Sequence, residues 1–283
     1  MTSLDFVIIG ENIHTTRVLM REGRRIGQNK SGEEIVIYRG LTGENKSMKI
    51  PEIYRETQSF KDGRVKHFMV AISNGMSSDS SLKEEGEDYI EAEIFRQENN
   101  GADFLDLNVD ELSHRINIQK GAMEWLVDLF CAKAHHPPSI DSSSTDILKT
   151  GLNRYLANGS PQGKPMVNSA SLERLEVLDL VSEYESYVIV TSAGSEGMPE
   201  NEHERLDNAQ LMMEECDKRE ISDHQIHIDP LLFPIAVDQN YGNHFLDTVG
   251  LMRSKFGSDV RISGGLSNVS FGLPARKLIN DTF

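Results

Sequence analysis

Short apolar runs recur along this chain, and nearly all of them end at their C-terminal side in Asp, Asn, Glu or Ser. They lie at residues 6–13 (FVIIGENI), 102–109 (ADFLDLNV), 138–143 (PSIDSS), 165–170 (PMVNSA), 187–193 (YVIVTSA), 226–229 (IHID) and 260–266 (VRISGGL). Between most of them the apolar residues change to a helical period. Ile147, Leu148, Leu152, Tyr155 and Leu156 share one face, as do Leu172, Leu175, Leu178 and Val181. Phe245, Leu246, Val249 and Met252 form another stripe, with Gly257 placed to cap that helix. Strands alternating with helices predict an α/β fold built on a parallel sheet.

The polar strand ends narrow the architecture. A parallel barrel gathers its C-terminal strand ends around one mouth, where such residues converge on one ligand. An open doubly wound sheet binds at its switch point and needs fewer of them. No Gly-rich phosphate loop follows the first run. The expectation is therefore a (β/α)8 TIM barrel occupying residues 1–283 as one domain. Two departures go with it. Residues from about 15 to 81 are too long for one loop and helix, and contain a short β-like run at 34–38 (EIVIY), which predicts a hairpin-like insertion after the first strand. The sequence stops at Phe283, after the seventh run and a helical stretch at 274–281. The last strand is thus expected to be missing, so that the chain is a fragment or another element covers the open edge.

Composition excludes some classes. Against 45 acidic residues stand 29 Lys and Arg, a formal charge of −16, which argues against a nucleic-acid partner. No apolar run reaches the roughly 18 residues of a membrane span. The N-terminus MTSLDFVIIGENIH has no basic region before its short apolar run and no small-residue cleavage site after it, and reads as a first strand. Cys131 and Cys216 are far apart and outside any CxxC, which fits two ordinary thiols in a cytoplasmic protein.

Four strand-end residues carry the candidate chemistry: Asp141 in SIDSSS, Asn168 in MVNSAS, Asp229 in HIDPLLFP and Asn268 in GGLSNVSFGLPAR. A carboxylate accepts two bonds from an amino group and its neighbouring ring N–H, and an amide serves either kind of edge. Such a set suits a flat nitrogen heterocycle, and also many other polar ligands. Plainer roles stand beside this one. Asp141 and Asp229 could cap the following helices, Asn168 and Asn268 could be turn residues, and Gly264–Gly265 could serve only a tight backbone path. His135 and His136 read as loop residues, since adjacent side chains diverge and no third metal ligand follows at a recognised spacing. His224 and His227 read as surface and packing positions, Met212–Met213 as helix packing, and the acidic run from Glu84 to Glu93 as a solvated helix face.

The strings GENIH, GADFLDLNVDE, AMEWLV, IDSSS, VNSAS, IDPLLFP and SNVSFGLPARKLINDTF occur in this order. Together they resemble the pterin-binding methyltransferase family, whose members are the methyltetrahydrofolate:corrinoid protein methyltransferases and the folate module of cobalamin-dependent methionine synthase. The resemblance covers residues 6–14 and then residue 101 to the end. It implies that Asp141, Asn168 and Asp229 hydrogen-bond the pterin, and that Asn268 approaches the nitrogen bearing the methyl group. It further implies that Arg276 lies near the folate end of the site, and that Glu11, Asp106 and Asn108 line the barrel floor and mouth. His14 stands where the family wording has Asn.

The resemblance also implies a reaction: transfer of the methyl group between methyltetrahydrofolate and cobalt of a corrinoid held by a partner protein, in a homodimeric enzyme with no resident metal. A methyl on a tertiary amine leaves only if the nitrogen gains a proton or a strengthening hydrogen bond, which makes Asn268 the catalytic candidate. Two other readings stay open. Dihydropteroate synthase shares the barrel and pterin pocket but needs cations for a diphosphate, and its late Ser-Arg-Lys type motif stands here as Ser267-Asn268-Val269. A non-catalytic folate-binding module is the other.

Overall fold

A computed structural model describes residues 6–283. Residues 1–5, on which the reading of the N-terminus partly rests, lie outside the described residues. The chain divides into two compact units, one up to Met166 and one from Val167 to Phe283.

The first unit runs β1 (Ile9–His14), β2 (Val18–Met20), β3 (Ile26–Gln28), β4 (Glu34–Arg39), β5 (Asn45–Lys49), α1 (Glu52–Arg55), α2 (Gln58–Lys61), β6 (Arg64–Lys66), α3 (His67–Gly75), α4 (Ser80–Asn99), β7 (Phe104–Asn108), α5 (Ile116–Lys133), β8 (Pro138–Asp141) and α6 (Thr145–Ala157). Strand β7 lies between β1 and β8 and is parallel to both. Every residue of β7 is buried, as expected of a parallel strand covered on both faces. Helix α5 buries Met123, Leu126, Val127 and Phe130. Helix α4 opens on Asp79, whose side chain accepts from the amides of Ser81 (2.9 Å) and Leu82 (3.3 Å). It packs on α3 at Gly86, where a Cβ would stand 2.4 Å from both the Ala71 carbonyl oxygen and the Gly75 nitrogen.

Between β1 and α3 the chain holds more β-structure than its pattern shows. Strand β4 is central in an antiparallel sheet ordered β3-β4-β5, and β2 pairs antiparallel with β6. β4 alternates, burying Val36 and Tyr38, which is why its run stands out in the sequence. β5 (NKSMK) buries Met48 alone, so it has no periodic signal.

β9 (Met166–Ala170) leads into the second unit, followed by α7 (Glu176–Tyr184), β10 (Tyr187–Thr191), α8 (Glu202–Asp217), β11 (Ile226–Asp229), α9 (Tyr241–Phe256), β12 (Arg261–Ile262) and α10 (Arg276–Thr282). Its strands neighbour one another in the order β9-β10-β11-β12, with β10, β11 and β12 parallel. Gly257 caps α9 with a φ of 98°, its amide donating to the Arg253 carbonyl. Leu232, Phe245 and Val269 form a buried cluster joined by Ile235, Val249 and Ile279, which ties the segments after β11 and β12 to α9.

The parallel strands fall on the apolar runs, with ends shifted by up to three residues except at β12, which keeps two residues of seven because the chain leaves the ladder before Gly264–Gly265. Three stripes need correcting. Of Leu172, Leu175, Leu178 and Val181, the first two lie before α7, which begins at Glu176. Leu156 and Leu246 were expected on buried faces, yet both are exposed. Each follows a residue that is itself buried, Tyr155 or Phe245, and one step along a helix turns about 100° away from the core. No helix among the described residues is long and apolar enough to cross a membrane.

Candidate active site

Three parallel strands of the first unit end side by side. His14 on β1 is in register with Asn108 on β7, and Leu107 with Ile140 on β8, so the next row sets Asn108 beside Asp141. In-register residues of parallel strands project to the same side of the sheet, and here their side chains bond. The Asn108 amide nitrogen donates to Asp141 Oδ2 (3.0 Å), and His14 Nε2 stands 3.1 Å from the same oxygen.

Backbone amides settle which way these groups point. The Asp110 amide donates to Asn108 Oδ1 (3.0 Å), so the other end of that side chain, facing Asp141, is the NH2. The Thr16 amide donates to His14 Nδ1 (3.1 Å), so the ring proton sits on Nε2 and points at Asp141. Thr16 Oγ1 also lies 2.7 Å from Nδ1 and donates to it. Two fixed donors therefore hold one oxygen of the Asp141 carboxylate. Thr15, fully buried, donates to Asn108 Oδ1 (3.3 Å) and closes the set from behind.

The loop after β8 is ordered by Asp110, which accepts from Ser142 Oγ (2.5 Å), the Ser143 amide (2.8 Å) and Ser143 Oγ (2.8 Å). Those bonds use the first two of the three serines that follow Asp141. Neither His14 nor Asp110 had been assigned a role from the sequence. The signal available was a carboxylate two residues beyond Asn108 and hydroxyls directly after Asp141. Asp106 is buried two residues before Asn108 on β7. Glu11 is exposed and pairs with Arg17 (3.3 Å), whose Nε also donates to the Glu11 carbonyl (2.9 Å).

In the second unit, Asn168 is half-buried on β9 and begins a cis peptide to Ser169. Asp229 ends β11, half-buried, and its Oδ1 accepts from the Leu231 amide (2.8 Å) in a turn that places Leu231 at φ 65°. The turn is braced by Arg205 of α8, fully buried, whose Nε donates to the Pro230 carbonyl (2.9 Å) and whose guanidinium lies 5.0 Å from the Phe233 ring centroid. Burial holds the Arg205 pKa below the usual arginine value. Nothing in the sequence distinguishes this arginine from a solvated one.

Asn268 is exposed, in a 3-10 turn formed by Leu266–Asn268, and Gly265 makes room for it: a Cβ there would be 2.9 Å from Asn268 Nδ2. Arg276 donates through Nη2 to the Ser267 carbonyl (2.7 Å) and through Nε to Ser270 Oγ (3.1 Å), gripping the turn that carries Asn268. Neither Asp141 nor Asp229 caps a helix. The residue before α6 is Ser144, and α9 begins twelve positions beyond Asp229.

Among the described residues no group of three His, Cys, Asp or Glu is placed to hold a metal. His135 and His136 lie in a loop, their amides donating to Glu98 Oε1. His227 is buried, and burial, reinforced by Arg261, lowers its pKa to about 4.

The family model described as "Pterin binding enzyme" matches residues 70–281. The chain belongs to the pterin binding enzyme family. His14 and the sheet β3-β4-β5 lie outside the part that matches the family, whereas Asn108, Asp141, Asn168, Asp229, Asn268 and Arg276 lie inside it. The chain is 27% identical over 210 residues to a methylcorrinoid:tetrahydrofolate methyltransferase of Eubacterium limosum, covering 72% of this chain and 73% of that protein. It is also 27% identical over 201 residues to a methionine synthase of Mycobacterium tuberculosis, covering 66% of this chain but only 16% of that protein. Among solved structures, a dihydropteroate synthase of Xanthomonas albilineans bound to 7,8-dihydropteroate matches at 16% identity with a TM-score of 0.47, over 72% of this chain and 76% of that one.

Proposed function

We propose that this member of the pterin binding enzymes transfers a methyl group between methyltetrahydrofolate and cobalt of a corrinoid carried by a partner protein. The observation that carries the proposal is the match to the methylcorrinoid:tetrahydrofolate methyltransferase over nearly three quarters of both chains. The geometry at Asp141 supports it. With Oδ2 occupied by His14 and Asn108, the carboxylate is oriented before any ligand arrives, and Oδ1 is the oxygen offered to the aminopyrimidinone edge of the pterin. In the second unit, Asn168 and Asp229 are the candidates for bonds to a pterin. We further propose a (β/α)8-type barrel for the parallel strands, with residues 15–81 as an insertion beside it.

When bound, the corrinoid supplies the nucleophile, and the methyl–nitrogen electron pair stays on the pterin nitrogen, which takes up a proton. An asparagine does not titrate, so Asn268 is not the proton's source. It holds a water, or turns its amide to favour the nitrogen as charge develops, an effect of roughly 2–4 kcal/mol on the barrier. Arg276 is a positioning residue, because it bonds the carbonyl immediately before Asn268.

The deciding assay is methyl exchange between methyltetrahydrofolate and free cob(I)alamin, followed by the corrinoid absorbance. Turnover that Asp229→Ala abolishes is expected. Condensation of a pterin diphosphate with an aminobenzoate, without methyl exchange, would overturn the assignment.

A further inference from the structure

The first unit contains a cavity of about 530 Å³ between the sheet β3-β4-β5 and α4. Its wall carries four arginines, Arg24, Arg25, Arg39 and Arg96, against a single acidic residue, Glu93. In a chain of net charge −16 such a concentration of guanidinium groups runs against the overall composition. The rest of the lining includes the rings of Tyr38 and Tyr89, stacked edge to face at 4.8 Å, and Ile37.

Three of the four cations are anchored. Arg25 donates through Nη2 to the Tyr89 hydroxyl and through Nε to the Ile37 carbonyl (3.4 Å). The Tyr89 hydroxyl in turn lies within hydrogen-bond distance, 2.9 Å, of His67 Nδ1. Burial, together with Arg25 and Arg17, lowers the His67 pKa to about 3, so that ring is neutral and does not compete as a cation. Arg96 is held by both oxygens of Glu93, and Arg39 donates to the Gly43 carbonyl (2.9 Å). Arg24 has no hydrogen-bond or ion-pair partner among the described residues, and both it and Arg39 are exposed. The sheet is joined to α4 by the Tyr38–Tyr89 ring contact, by Lys46 paired with Asp88 (2.5 Å) and by the Lys49 amide donating to Glu85 (2.6 Å), besides the Tyr89–Arg25 contact. That packing does not need three more guanidinium groups around the same space.

We propose that this cavity binds a small organic anion carrying at least two negative charges, a phosphate monoester or a polycarboxylate, with a flat or apolar body against the tyrosines. Guanidinium forks match the oxygens of both anions. A volume of this size holds a ligand of nucleotide dimensions. The inference is independent of the pterin reading, since it uses neither Asp141 nor any residue after Arg96.

Titration calorimetry on the full chain tests it with three probes: inorganic phosphate, adenosine monophosphate and citrate. Saturable binding of adenosine monophosphate or phosphate without citrate assigns a phosphate ligand. Citrate alone assigns a polycarboxylate. Either supports the proposal provided that Arg24→Ala combined with Arg39→Ala weakens it about tenfold or more, with an unchanged Tm, while Lys149→Ala does not. No saturable binding by any probe, or binding that survives the double substitution, overturns it. So does binding of a polyglutamate peptide when all three small probes fail, because the arginines would then face an acidic protein.

Discussion

Removing the His14 imidazole tests whether Asp141 is held ready for a ligand. Its Nε2 is one of two donors on Asp141 Oδ2, at 3.1 Å, the other being the Asn108 amide at 3.0 Å. A hydrogen bond to a charged group contributes roughly 1.5–3 kcal/mol. With Asn108 still in place His14→Ala loses the lower part of that range, about 1.5 kcal/mol, or roughly a tenfold rise in the Kd for methyltetrahydrofolate. Gln is the matching control: its amide nitrogen reaches the position of Nε2 and restores one donor, so His14→Gln should recover most of the affinity. His14→Ala together with Asn108→Ala should cost more than the two single losses added, because each donor alone still limits carboxylate rotation. Fluorescence titration of methyltetrahydrofolate measures the parent and the four variants, Asn108→Ala included. A His14→Ala Kd within twofold of the parent, or a Gln variant no better than Ala, would refute the orienting role.

Other outcomes follow from the same geometry. Asn268→Ala should lower kcat roughly 30-fold or more while leaving affinity nearly unchanged, and equal losses in both would make it a binding residue only. Gly86→Ala would gain about 1 kcal/mol from helix propensity in open space. Here the added carbon meets backbone atoms of α3, so a net loss of about 1–3 kcal/mol is expected, seen as a Tm several degrees lower; an unchanged or higher Tm would mean α3 and α4 separate freely. Stability should also fall on acidification. His67 and His227 titrate at about 3 and about 4 in the folded chain, against about 6.5 when unfolded. Below pH 6.5 the unfolded chain therefore takes up protons that the folded one refuses. Their stabilisation is complete above pH 6.5 and shrinks by about 2 kcal/mol per histidine by pH 5, and a Tm identical at pH 7 and pH 5 would contradict it.

How far the fold was legible depends on how each element is buried. β7 and β11 are covered on both faces, so they read as unbroken apolar runs and their positions were evident. β3 and β5 carry almost no apolar residues and were invisible. Tyr155 and Phe245 were placed correctly in the core, whereas their neighbours Leu156 and Leu246 were not, because hydrophobicity alone does not fix where an amphipathic face ends.

The order of strands and helices, and the polar residue closing most strands, were written in the chain, since strand and helix each impose a period on whatever must be buried. The pairing of His14, Asn108 and Asp141 was not. It depends on register between strands whose contributing residues are 94 and 33 positions apart, and a shift of one place would turn each side chain to the other face. The same holds for Arg24, Arg25, Arg39 and Arg96, which sequence scatters over a turn, β4 and α4 and only folding gathers around one cavity. Local periodicity is a property of neighbours along the chain, whereas the direction and company of a charged group are decided by what packs against it.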